Sequence, residues 1–197
     1  MNRRPYARPD ARTREAKAQG YPARSVWKLE EIDRRAKLFT AGQRVLDLGA
    51  APGSWSLYAA ERVGPRGAVL AIDRQPILQV FPETVRVVLG DALTLETQAL
   101  SEHAPYDVVL SDMAPNTSGS KVADQGQSFE LFSRAVDVAR ELGRPGSHFV
   151  GKLFMSADFE AARDALRKSY AKCVVMRPDG TRTRSTEVFL VGLGKRA

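Results

Sequence analysis

Two lysines, a handful of acids and one glycine-rich turn are the residues whose types and spacing could do chemistry. Lys152 is the sharpest of them. It lies in Phe149-Val150-Gly151-Lys152-Leu153-Phe154, a run apolar enough for a central strand, where an ammonium is costly unless paired or used. A lysine snorkelling out of the strand's end is the plainer alternative. Asp112 follows Val108-Val109-Leu110-Ser111 and opens the loop Met113-Ala114-Pro115-Asn116. The stretch Asp47-Leu48-Gly49-Ala50-Ala51-Pro52-Gly53-Ser54-Trp55 reads as a turn from a first strand into a helix. Its small residues let a ligand approach the backbone, and the helix start offers unpaired N–H groups. Asp47, Gly49 and Gly53 are therefore cofactor candidates. Asp73 ends the next strand candidate, where an acid can accept hydrogen bonds from both ribose hydroxyls of an adenosine or serve as a turn former. Asp91, after Gly90, could take a bond from an adenine amino group or cap a helix.

These residues discriminate among cofactors. The fingerprint G-x-G-x-x-G is absent, Pro52 stands where a pyrophosphate would want an amide, and no G-x-x-x-x-G-K-[ST] occurs. An Asp-x-Gly-x-x-x-Gly turn followed by acids after the second and third strands suits S-adenosylmethionine, with Asp112 where the reacting methyl would sit. His103 and His148 have no ligand-like or triad companions, so no metal is expected.

The elements that must position this set alternate between strand and helix. Strand candidates are 44–48, 68–72, 85–89, 107–111, 148–154, 172–176 and 187–191. A helix from Arg24 carries Val26, Leu29, Ile32 and Ala36 at spacings of three and four. Others cover 55–63, 127–142, stopped by Gly143 and the turn Arg144-Pro145-Gly146, and 158–170 with Ser156 as N-cap. The pattern predicts an α/β fold: a seven-stranded, mostly parallel sheet, helices on both faces, and the last two strands as an antiparallel edge hairpin. Ligands of such sheets sit beyond the carboxyl ends of the strands.

Composition narrows the class. With 197 residues, 43% of them hydrophobic, the chain can bury one core. Its apolar runs are too short to span a membrane, and Met1–Gly20 lacks the apolar stretch of a secretory signal. A cytoplasmic protein is expected, and the lone Cys173 suits a reducing compartment. The net charge of +7 is unevenly spread: residues 1–44 hold 12 Lys/Arg against 5 acids, residues 167–197 hold 8 against 2, and the middle is acidic. Basic ends suggest a polyanion. Arg3, Arg4, Arg8, Arg12, Arg14 and Arg24 interleave with Tyr6 and Tyr21, a mixture of guanidinium forks and aromatic faces that suits RNA. Arg182 and Arg184 add a second basic loop. Residues 1–20, poor in large aliphatics, are expected to be a flexible arm on a single domain of residues 21–197.

Arg24-Ser25-Val26-Trp27-Lys28-Leu29, the Asp47–Trp55 turn, Ser111-Asp112-Met113-Ala114-Pro115-Asn116, Gly151-Lys152 and Ser185-Thr186-Glu187-Val188 together resemble the FtsJ/RrmJ family of RNA 2′-O-ribose methyltransferases, from about Tyr21 to the C-terminus. The resemblance places a Lys-Asp-Lys-Glu catalytic set on Lys28, Asp112, Lys152 and Glu187. Alone, Lys28 and Glu187 would pass as surface residues. It also implies the Rossmann-like class I SAM-dependent methyltransferase fold and cofactor contacts at Gly53, Trp55, Asp73, Asp91 and Asp112. Within the family, the compact bacterial proteins implied by the Asp-Met-Ala-Pro-Asn loop methylate a 23S rRNA uridine in the peptidyl-transferase A-loop. Departures are mild: Ser54 replaces a frequent glycine. The expected partner is ribosomal RNA in the large subunit, met by a monomer, with no DNA and no membrane. Lys152 is the preferred general base, a role that burial and Lys28 favour and Asp112 and Glu187 oppose; a positioning role is the alternative. A tRNA anticodon-loop 2′-O-methyltransferase, a non-catalytic RNA-binding ribosome-assembly factor and, more distantly, a nicotinamide oxidoreductase are the rival readings.

Overall fold

The computed structural model describes residues 11–116, 118–179 and 186–197. Strands β1 (Arg44–Leu48), β2 (Ala68–Asp73), β3 (Val85–Leu89), β4 (Tyr106–Ser111), β5 (Gly143–Phe154), β6 (Tyr170–Met176) and β7 (Glu187–Lys195) alternate with helices α1 (Ala11–Ala18), α2 (Val26–Ala36), α3 (Ser54–Val63), α4 (Lys121–Leu142) and α5 (Phe159–Ser169). The strands form one sheet in the order β3-β2-β1-β4-β5-β7-β6. Neighbours from β3 to β5 are parallel, and β7 runs antiparallel to both β5 and β6, so the expected hairpin lies at that edge with β6 outermost.

Alternation along the strands divides the core in two. Leu46, Leu70, Val109, Phe149 and Leu190 face α4 and α5, whereas Val45, Val69, Leu110, Val150 and Phe189 face α2 and α3. Because side chains alternate with period two, Lys152 and Phe189 share the α2/α3 side with Val150. That side holds the polar residues discussed below.

Helix α2 is fastened by one buried acid. Val26, Leu29 and Ile32 pack inward together with Asp33, which is 4% exposed. The helix ends at Lys37 in the left-handed region (φ 56°). Asp33 Oδ1 accepts the next two amides, of Leu38 (2.9 Å) and Phe39 (3.3 Å). Its Oδ2 accepts the Tyr58 hydroxyl of α3 (2.9 Å) and pairs with Arg62 (3.3 Å). Asp33 thus satisfies the amides that lead the chain away from the end of α2 and docks α2 on α3. Replacing it with alanine strands several buried donors at once, so Asp33→Ala should cost about 3 kcal/mol, read as a lower urea midpoint. A midpoint shift below about 0.5 kcal/mol in equivalent stability would contradict this account of the junction.

Five expectations change. Residues 11–18 are helical, and Ala16 is fully buried against the α2 side of the core; the indole of Trp27 donates to the Arg12 carbonyl (3.1 Å). The segment read as an unpacked arm is therefore partly folded where it is described, because Ala, Arg, Glu and Lys form helix well without large side chains. Helix α4 begins six residues before the expected Gln127. Asp158, not Ser156, holds the N-cap of α5; Ser156 Oγ accepts the Asp158 amide instead (3.1 Å). Between β3 and β4 runs a short 3-10 turn, Thr97–Leu100, in place of a covering helix. The Arg144-Pro145-Gly146 turn is absorbed into β5, looped out between the pairs Tyr106↔Gly143 and Val108↔His148.

Candidate active site

The strand order reverses between β1 and β4, the position where open α/β sheets bind ligands. A cavity of about 920 Å³ opens there at the carboxyl ends of the strands, with Gly49, Asp73, Asp91 and Asp112 in its wall. Asp73 anchors the floor: Oδ2 accepts the Ala51 amide (2.9 Å) and Oδ1 the Gln75 amide (2.7 Å). A carboxylate has roughly four acceptor positions, so both oxygens keep capacity for a ligand. Asp91 Oδ1 accepts the Leu93 amide (2.9 Å), and Oδ2 has no partner among the described residues. Gly49 adopts φ 79°, and a Cβ there would meet Met113 Cγ at 2.6 Å, so glycine lets β1 and the loop after β4 close up beneath the cavity.

Three of the residues expected at the cofactor are absent from the lining of this cavity. A Cβ on Gly53 (φ 110°) would meet Phe81 at 2.8 Å and Gln79 at 3.1 Å; this glycine admits the segment after β2. The Trp55 side chain is 2% exposed. Its ring packs on Phe189 (5.7 Å between centroids) and its Nε1 donates to the Ser25 carbonyl (2.9 Å). Together with Ser54, whose Oγ exchanges hydrogen bonds with Ala23, it holds the entry to α2 and so places Lys28. Only the backbone amides at the start of α3 remain available to a ligand from this turn. Asp47 is fully buried beneath the turn, not on the cavity wall. The Ser56 hydroxyl donates to its Oδ2 (2.6 Å), while Oδ1 has no hydrogen-bond partner. Burial, opposed by the Ser56 bond and reinforced by the charges of Asp112 and Asp73, pushes this carboxyl up to about 7.

Lys152 is 7% exposed. Its amine donates to the Asp112 carbonyl (2.5 Å) and to Asp112 Oδ1 (3.0 Å). Lys28 forms an ion pair with Glu187 Oε1 and lies 5.8 Å above the ring of Phe189, the register partner of Lys152. The four residues therefore meet on the α2/α3 side of the sheet, at strands β4, β5 and β7, divided into two pairs. Asp112 belongs to both the cluster and the cavity wall. The residues that sequence reasoning missed on that wall include Pro22, Arg74, Gln127 and Glu130. Arg74 adjoins Asp73 and donates to Asn116 Oδ1 (2.7 Å); the others carried no signal, being ordinary residues of a helix face and a loop.

Of the arginines expected to bind RNA, Arg12 and Arg14 are exposed on α1 and Arg24 is half-buried, whereas Arg3, Arg4, Arg8, Arg182 and Arg184 lie outside the described residues. The Asp179 amide at the start of the second basic loop donates to Glu31 Oε2 on α2 (2.9 Å). Among the described residues there is no cluster of His, Cys, Asp and Glu able to hold a metal, and no helix is long and apolar enough to cross a membrane.

Strand order and the place of the cavity define a class I methyltransferase fold. Solved structures agree on the fold: a Plasmodium falciparum chain described as a ribosomal RNA methyltransferase superposes with a TM-score of 0.77 at 20% identity, covering 89% of this chain and 98% of its own. Fibrillarin from Aeropyrum pernix, in complex with S-adenosyl-L-methionine, gives 0.59 at 18% identity over 78% of this chain and 67% of its own. Residues 21–195 match the FtsJ-like methyltransferase family, and the chain belongs to it. Proteins named ribosomal RNA large subunit methyltransferase E are similar along nearly the whole length: that of Sorangium cellulosum is 64% identical over 98% of this chain and 91% of its own. That of Bdellovibrio bacteriovorus is 46% identical over 93% and 95%.

Proposed function

We propose that this enzyme transfers a methyl group from S-adenosylmethionine to a ribose 2′-hydroxyl of large-subunit ribosomal RNA, at a uridine of the peptidyl-transferase A-loop. The relatives' shared name supports the RNA. The observation that carries the chemistry is Lys152: a buried amine held by an acid that also lines the cofactor cavity.

The cavity suits the cofactor. It has acids at the ends of β2 and β3 for the ribose hydroxyls and the adenine amino group, the close-packed Gly49 turn beneath, and Asp112 at the opposite end. When bound, the cofactor supplies a methyl group that is already electrophilic on its sulfonium, so the protein's task is to aim and deprotonate a poor nucleophile. Asp112 occupies two donor positions of the Lys152 amine through its carbonyl and Oδ1. In a neutral amine, which has two N–H groups, this leaves the lone pair directed away from Asp112, where a hydroxyl proton can be accepted. As the oxygen–methyl bond forms and the sulfur–methyl bond breaks, the 2′-hydroxyl proton passes to Lys152 Nζ and then to solvent. Glu187 is ion-paired with Lys28, and this pair offers the ribose both a donor and an acceptor. Arg12 and Arg14, with the basic loop that begins after Asp179, are the phosphate contacts of a monomer acting in the cytoplasm.

Mapping ribose methylation by mass spectrometry in total RNA from cells with and without the gene tests this reading. One 23S rRNA uridine should lose its methyl group. Loss at a tRNA anticodon loop instead would transfer the same chemistry to the rival substrate, and unchanged methylation would refute the reading.

A further inference from the structure

The adenine end of the cavity is built on a turn held by its own hydrogen bonds on one side and by α4 on the other. After β3 the chain folds back on Asp91: its carbonyl accepts the amides of Thr94 (3.0 Å) and Leu95 (2.9 Å), and its Oδ1 accepts that of Leu93. The carbonyls of Ala92 and Leu95 are both claimed by one residue of α4. Arg134 Nε donates to Ala92 O (2.9 Å) and Nη2 to Leu95 O (2.7 Å). Gln127, Glu130 and Leu131, which line the cavity, recur with Arg134 at helical spacings of three and four. One face of α4 therefore forms the cavity wall and then grips the turn that presents Asp91. No α-helix covers the stretch between β3 and β4; beside the apolar packing of Ala92 and Leu95 on the α4 side of the core, the guanidinium fork is its polar link to α4, and a rigid fork matches two carbonyls where a point charge cannot.

We infer that Arg134 is a positioning residue for adenine recognition: by bracing the Ala92 and Leu95 carbonyls it fixes the direction in which Asp91 accepts the adenine amino group. This rests on the cofactor reading above. Without the brace, Asp91 would sample several orientations, and the site would still bind the rest of the cofactor.

The test compares the full-length wild type with Arg134→Ala and Arg134→Lys. It measures the KM for S-adenosylmethionine, kcat at saturation, and calorimetric affinities for S-adenosylhomocysteine and its inosine counterpart, which lacks the amino donor. For Arg134→Ala the KM should rise about tenfold with kcat within about twofold. The preference for adenine over hypoxanthine, expected to be about tenfold in the wild type, should fall close to one. Arg134→Lys, able to serve one carbonyl at a time, should fall between, and it keeps the test open if the alanine variant does not fold. Unchanged KM and preference in the variants, or a loss of kcat with the preference intact, would overturn the inference. A wild type that neither binds S-adenosylhomocysteine nor transfers methyl groups would take the cofactor reading down together with it, an outcome distinct from failure of Arg134 alone.

Discussion

Lys152→Ala should lower methyl transfer to ribosomal RNA by about 10³-fold while S-adenosylhomocysteine binds within about threefold of the wild type. The asymmetry follows from geometry. The Lys152 amine touches Asp112 and does not form the cavity wall, so removing it takes away the proton acceptor and leaves Asp73, Asp91 and the Gly49 turn in place. Asp112 loses its partner but is 20% exposed at the side chain, enough for water to take over part of the interaction. Lys152→Met, which keeps the aliphatic stem packed between β4 and β7, should lose as much turnover as the alanine variant if the amine is responsible, and should fold more stably. Single-turnover kinetics with limiting RNA isolate the chemical step. Turnover within tenfold of the wild type in either variant would remove Lys152 from the proton path and leave alignment as the enzyme's contribution.

That prediction could be framed from the sequence because a charged residue inside an apolar strand is a local anomaly, visible without coordinates. The sheet was legible for a similar reason: strands and helices announce themselves by period, and a parallel order follows from their alternation. The turn at Gly53 and Trp55 was ambiguous on physical grounds. A glycine at positive φ signals that something approaches the backbone closely, but it does not say whether that is a ligand or, as here, the ring of Phe81. A tryptophan after it looks equally suited to stack on a cofactor or to brace Lys28 through Ser25. Helix α1 escaped notice because its contribution to the core is a single methyl group, that of Ala16, and burial of alanine leaves no pattern. Arg134 was invisible for another reason: its partners are backbone carbonyls, which every residue possesses.

Asp47 carries the second large effect, and it appears as a pH dependence of stability. The carboxyl sits with no exposure on β1, with one oxygen bonded to Ser56 and the other unpaired. Burial raises it from an ordinary 3.8 to about 7. The folded chain therefore keeps this proton up to about pH 7, whereas the unfolded chain releases it near 3.8. Between those values the native state binds more protons than the unfolded state, so this group's contribution to stability falls as pH rises through the window. It is undiminished below 3.8 and fully lost above about 7. At about 1.4 kcal/mol per tenfold in proton affinity, the whole change is on the order of 4 kcal/mol. Asparagine has nearly the same shape, can still accept the Ser56 hydroxyl and does not titrate. Asp47→Asn should therefore gain on the wild type by on the order of 4 kcal/mol between about pH 4 and about pH 8, whatever its offset at the acid end. Urea unfolding of the two proteins across this range measures the difference directly. Parallel stability curves would mean that Asp47 is charged throughout, with its unpaired oxygen solvated in the native state.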